Sequence, residues 1–254
     1  MNYPNDIINK KIIILIAHPN DEILWFGAGI ISLCQHNHVT VYCLTHRPGS
    51  ERGEELNKHS IKCGFKVVFD MSNDPGRSLP LIDYELGFKE FLKSYSYAFD
   101  LLITHPFWGN ETSHPHNIQA YHLGLRSALQ HGIHFSYFSE IELNHEHKKL
   151  TFGSRLFKWK IIFSQFYILK KSNSIFSCIM TIIENISLDI ILMIKTMHYS
   201  ILKFECDPIK KMENIILYKS RISIIKTYRS FYRDDSFLLI YMLRDGKGSP
   251  FSSQ

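Results

Sequence analysis

Ala17-His18-Pro19-Asn20-Asp21-Glu22 puts an imidazole, an amide and two carboxylates almost side by side. Imidazole nitrogen and carboxylate oxygen are the donors that zinc and similar divalent ions take. The block follows Ile12-Ile13-Ile14-Leu15-Ile16, a largely β-branched run that reads as a buried parallel strand. Ligands of open α/β sheets bind outside the carboxyl ends of the strands, so the block stands where chemistry is done. Ile23-Leu24-Trp25-Phe26-Gly27-Ala28-Gly29 then starts a helix. A plainer reading makes Asn20 the cap of that helix, with Asp21 and Glu22 complementing its dipole. That reading leaves His18-Pro19 unexplained.

A metal needs ligands from elsewhere in the chain. The run Thr104-His105-Pro106-Phe107-Trp108-Gly109-Asn110-Glu111-Thr112-Ser113-His114-Pro115-His116-Asn117 supplies candidates. It leaves the carboxyl end of an expected strand at 101–104, so it can face the His18 turn.

These two blocks resemble the PIG-L/LmbE-like family, the GlcNAc-phosphatidylinositol de-N-acetylases and their bacterial relatives. The first is similar to the family's His-Pro-Asp-Asp-Glu signature. The second is similar to its Thr-His-x-Pro-Trp-Gly segment followed by His-Pro-Asp-His or His-Pro-His-His. Thr45, Arg52-Gly53-Glu54-Glu55-Leu56 and Gly64 resemble a third stretch, Thr…Arg-x-x-Glu-Leu…Gly. The resemblance covers most of residues 11–143. It returns weakly near 219–243, where Lys219 with Tyr228-Arg229-Ser230 is similar to a Lys…Tyr-x-Ser helix.

The resemblance implies a zinc-dependent sugar N-deacetylase. It assigns His18 and Asp21 as zinc ligands, position 117 as the third ligand and position 20 as the general base. His114, protonated, would stabilise the oxyanion, and Arg52 would bind an anionic part of the substrate. Two of these positions depart from the pattern: both 20 and 117 are Asn. An amide does not accept a proton at neutral pH, and zinc prefers imidazole, thiolate or carboxylate to an amide oxygen. His116 supplies an imidazole only if the loop shifts by one residue, which on a helix turns the side chain by about 100°. Arg52 also has a plainer reading, a pair with Glu55 along its helix.

The implied reaction is metal-assisted hydrolysis of an N-acetylated sugar or glycoconjugate, with activity reduced by the two asparagines. If both are defects of one reaction, repairing either alone should help little. The alternatives are a non-catalytic sugar-binding or complex-forming homologue, or a membrane-surface component.

The elements that position these residues follow from periodicity. Strands are expected at 12–16, 38–44, 66–69, 101–104 and 137–143, with a last one at 236–243. Helices are expected at 51–63, 83–97 and from about 116 to 132, the first ended by Gly64. This alternation predicts a Rossmann-like three-layer α/β/α domain with a mostly parallel sheet over residues 1–254. Residues 158–204 break the pattern and read as a helical insertion. Ile175, Ile179, Ile182, Ile183, Ile186, Ile190 and Ile194 recur at helical spacing there. Glu184 and Asp189 interrupt the stripe, and each charge would cost about 2.5–3.5 kcal/mol at a bilayer centre. The stripe therefore reads as an amphipathic packing face, with peripheral membrane contact as the less favoured reading. Residues 219–230 read as a basic helix.

Composition narrows the class. The chain has 254 residues, 45% hydrophobic and 21% charged, which fits a globular fold with a large core. A net charge of +5 with scattered lysines forms no nucleic-acid stripe. Five cysteines without a CxxC pair, and an N-terminus lacking signal-peptide regions, predict a cytoplasmic protein. Gly27 and Gly29 lack the third glycine of a dinucleotide fingerprint. His145 and His147 share a face if extended, but read as an exposed loop.

Overall fold

The computed structural model describes residues 7–70, 81–95, 99–106, 110, 114–139, 199–205, 208–220 and 235–241. The strands are β1 (Lys11–Ile16), β2 (His38–Cys43), β3 (Lys66–Phe69), β4 (Leu101–Thr104), β5 (His134–Ser139), β6 (Tyr199–Glu205) and β7 (Asp235–Tyr241). The helices are α1 (Asp21–Leu24), α2 (Gly27–Cys34), α3 (Glu51–Cys63), α4 (Leu81–Ser94), α5 (Pro115–His131) and α6 (Pro208–Ile215).

The sheet runs β3-β2-β1-β4-β5-β7-β6. Its first five strands are all parallel. β7 then pairs antiparallel with β5, and β6 antiparallel with β7. β1 lies between two strands, so both of its faces need cover. Ile12, Ile14 and Ile16 join one apolar cluster with residues of α1, α2 and α3. Ile13 and Leu15 point the other way, into a cluster with residues of α4 and α5. The period of two along a strand divides one isoleucine run between two cores. The three-layer α/β/α expectation holds.

Local chemistry sets the helix ends. Ser50 caps α3 by accepting from the Gly53 N–H at 3.1 Å, and Gly64 ends it at φ 82°, a left-handed conformation that glycine tolerates. The helix expected after Glu22 is broken: α1 stops at Leu24 and α2 begins at Gly27. The Phe26 ring folds over the start of α2, where a Cβ on Gly29 would lie 1.9 Å from its Cε2. Gly29 therefore permits the break.

Three expectations need correction. The fifth strand starts at His134 and not near 137, because it pairs with β4 from Leu101↔His134 onward. The helical reading of 158–204 fails at its end: residues 199–204 belong to β6, whose backbone is taken up by β7. Residues 158–198 lie outside the described residues, as do His145 and His147. Lys219 and Ser220 form a turn instead of starting a helix, and 221–230 lie outside the described residues. Among the described residues, no helix is long and apolar enough to cross a membrane.

Candidate metal centre

β1 and β4 are neighbours, with Leu15 opposite Thr104. From β1 the chain moves to β2 and β3 on one side, while β4 leads to β5 on the other. The strand order reverses at this pair, which opens a crevice at the carboxyl edge. Both sequence blocks leave their strands into that crevice.

Three imidazoles meet there. His18 Nε2 lies 3.0 Å from His116 Nδ1. The His18 and His114 ring centres are 4.8 Å apart. One nitrogen from each of His18, His114 and His116 falls within 4.8 Å of the others, and all three residues are half-buried. Tetrahedral zinc with bonds of about 2.0–2.1 Å separates its nitrogen ligands by about 3.3 Å. The donor types and spacing thus fit a divalent transition metal. His114 is the N-cap of α5, its Nδ1 accepting from the His116 N–H at 3.2 Å. Burial, and next the neighbouring His18, push the His114 pKa down to about 4. Its ring is therefore neutral at pH 7, as a ligand must be.

Asp21 sits behind His18. Its Oδ2 accepts from the His18 backbone N–H at 2.7 Å and lies 3.4 Å from His18 Nδ1 and 3.3 Å from His105 Nε2. Its Oδ1 accepts from Trp25 Nε1 at 3.1 Å. Burial would raise this carboxyl's pKa. The charges and hydrogen bonds of His105 and His18 outweigh burial and hold it well below the usual carboxylate range. Behind a metal-capable imidazole, such a carboxylate fixes ring orientation and raises ligand basicity.

Asn20 is the N-cap residue of α1 by position, but its side chain makes no capping bond and its backbone is left-handed at φ 90°. The amide oxygen instead accepts from Arg52 Nη2 at 2.5 Å. The same nitrogen donates to the Pro19 carbonyl at 2.7 Å. Arg52 Nη1 lies 3.2 Å from His46 Nε2, His46 Nδ1 lies 2.9 Å from Thr45 Oγ1, and Thr45 Oγ1 donates to the Ala17 carbonyl at 2.7 Å. The His46 ring centre is 6.5 Å from that of His18. Glu55 meanwhile binds Ser220, accepting from its N–H at 2.8 Å and its hydroxyl at 2.5 Å.

Beneath the turn lies a buried polar node. Glu22 Oε2 accepts from the Asn20 N–H at 3.1 Å. Glu22 Oε1 accepts from His59 Nδ1 at 2.8 Å and from the Tyr218 hydroxyl. Glu22, His59 and Tyr218 are all fully buried. Burial works against the charged form of His59, but the neighbouring Cys63 and Glu22 prevail and raise its pKa to about 9. A second network holds Asn117, which is buried. Its Nδ2 donates to Asn110 Oδ1 at 3.2 Å, and that oxygen lies 2.6 Å from His105 Nδ1.

Of the residues singled out from sequence, His18, His114 and His116 come together, with Asp21 directly behind His18. Asn117 faces the buried His105 network, and Arg52 grips Asn20. His46, His59 and Tyr218 have no role in the sequence reading, and Glu22 has only that of a helix-dipole carboxylate. The bonds that join them across the site span 6 to 196 residues, beside local ones from His46 to Thr45 and from Glu22 to Asn20, so local spacing alone does not mark them. His105 and Asn110 stood inside a recognised block, and only their identity as polar residues there hinted at the network.

No family model and no curated relative matches the chain. Among solved structures it is similar to the antimicrobial reagent A40926 pseudoaglycone deacetylase Dbv21, with a TM-score of 0.52 at 11% identity, over 94% of this chain and 100% of that one. It also matches GalB, the 4-carboxy-2-hydroxymuconate hydratase of Pseudomonas putida KT2440, with a TM-score of 0.46 at 11% identity, over 94% and 99%. The likeness to the deacetylase shows a shared fold along nearly the whole of both chains.

Proposed function

We propose that this protein is a metal-dependent hydrolase that removes the acetyl group from an N-acetylated sugar or glycoconjugate, slowly for want of a carboxylate base. The observation that carries this reading is the meeting of His18, His114 and His116 at the point where strand order reverses. The fold it shares with a deacetylase supports it. Zinc is the cofactor best suited to three imidazoles, and when bound it would supply Lewis acidity and a water with a pKa near 7.

The chain's own residues divide the remaining tasks. His18, His114 and His116 hold the ion, and Asp21 orients His18 through Nδ1. Asn20 stands where a base would take the proton from the attacking water, and its amide offers no such acceptor. His114 Nδ1 accepts from the His116 N–H, so its other nitrogen either holds the ion or donates to an oxyanion, and as a ligand it gives up the oxyanion role that the resemblance implies. Arg52, engaged with Asn20 and Pro19, shapes the wall of the cleft beside the acetamide. Cysteine usage suits a cytoplasmic location.

The second reading is a sugar-binding homologue that has given up catalysis. It is favoured by one observation, the Arg52 bond that fixes the amide of Asn20. The experiment is metal analysis of the purified protein together with hydrolysis of N-acetylglucosaminyl substrates. Stoichiometric zinc with release of acetate supports the hydrolase. Sugar binding without zinc or turnover supports the second reading.

A further inference from the structure

We propose that Tyr218 and His59 are positioning residues for the metal centre, acting through Glu22, so that the docked segment 208–220 and the bound ion stabilise each other. This rests on the metal reading above.

The His18 turn is held in a conformation a non-glycine residue rarely adopts, at Asn20. Something must over-determine it. From the cleft side, Arg52 holds the Pro19 carbonyl and the Asn20 amide oxygen. From the interior, Glu22 Oε2 holds the Asn20 N–H. A carboxylate buried this completely needs its own partners. Those partners are His59 from α3 and Tyr218 from the segment after α6. The His59 and Tyr218 rings meet edge to face at 5.8 Å.

Tyr218 is brought there by a series of bonds along α3. Lys62 Nζ donates to the Glu213 carbonyl at 2.9 Å, and Ser220 binds Glu55. The start of α6 is seated closely too: a Cβ on Gly27 would lie 3.1 Å from Lys211 Cε. The segment thus runs beside α3 from Glu213 to Ser220 and sends one phenol through to the carboxylate behind the metal turn. Glu22 is one residue from Asp21, which orients His18. Loosening Tyr218 frees Glu22, then the Asn20 N–H, then the pose of His18. Coupling of this kind is reciprocal, so an ion that fixes His18 must also tighten the segment.

The test uses the full chain with cobalt(II) as a spectroscopic substitute for zinc. Tyr218→Phe removes only the hydroxyl and should weaken cobalt binding about tenfold, in the range found for outer partners of metal ligands. It should also alter the cobalt visible bands. His59→Leu should do the same from the other side, whereas His59→Gln keeps an N–H for Glu22 and should stay within about threefold of wild type. Zinc should slow amide exchange at 216–220 in the wild type and not in Tyr218→Phe. If Tyr218→Phe does not fold, the His59→Leu and His59→Gln pair decides the matter. Wild-type affinity and bands in Tyr218→Phe, even with a lower melting temperature, would overturn the proposal and leave the metal reading standing. A wild type that binds no cobalt or zinc would overturn both.

Discussion

Asn20 and Asn117 pose the same puzzle in two turns, and the structure solves it differently in each. Asn20 is gripped by a guanidinium at the wall of the cleft. Asn117 is turned inward to a neutral amide and, through it, to His105. The imidazole that joins His18 is the neighbour, His116. At the first turn, then, a chemical group is missing. At the second an imidazole stands one residue earlier, and Asn117 faces the interior. Two substitutions of the same type therefore need not have the same consequence.

The largest effect should separate His116 from Asn117. His116→Ala should weaken zinc binding by more than the 10–100-fold typical of outer partners. Asn117→Ala should change it only a few-fold. Competition against a chromogenic chelator measures both, and equal losses would erase the distinction drawn between the two turns. Next, Asn20→Asp alone should raise the hydrolysis rate by about 10²-fold, the lower end of what a general base contributes. The sequence suggested that neither repair would work alone; if His116 serves as the third ligand, the second repair is not needed. Acetate release by the single variant no faster than by the wild type would restore the two-defect view.

Asn117→His should behave as an overpacked core substitution and lower stability by about 1–3 kcal/mol without tightening zinc. Denaturant midpoints and zinc titrations of the same preparation check both halves. The last effect concerns pH. The His59 pKa is raised from 6.5 to about 9 in the folded state. The charged ring beside Cys63 and Glu22 therefore adds stability that is fully present below about pH 6.5 and is lost as pH rises through about 9. The change should be about 3 kcal/mol between pH 6 and 9.5. Urea midpoints from pH 6 to 9.5 should fall in the wild type and stay flatter in His59→Gln.

Legibility in the sequence followed the range of the interactions. α3 is complete within its own thirteen residues plus Ser50 and Gly64, and its bounds match the expected ones. β3 and β4 were legible because short apolar runs buried in a parallel sheet carry their own signal. β6 and α6 were missed. One sits in a stretch whose isoleucine spacing suggested helix, and the other is a short helix whose docking on α3 depends on residues some 150 positions away. The site divides the same way. His18, His114 and His116 announce themselves by type and by the strands they follow. Which of His116 and Asn117 turns outward depends on Asn110 and His105, and that is a matter of packing and not of spacing.

A fourth imidazole, His46, stands close to His18 yet takes no part in the cluster. Guanidinium nitrogen donates and never accepts, so the direction of every bond that follows it is dictated. Arg52 must donate to His46 Nε2, His46 Nδ1 must donate to Thr45 Oγ1, and Thr45 passes its proton toward the Ala17 carbonyl. His46 is locked in one tautomer with its lone pair already spoken for. The chain of one-way donors thus withholds a ligand from the crevice, so that an ion held there would meet three imidazoles and not four.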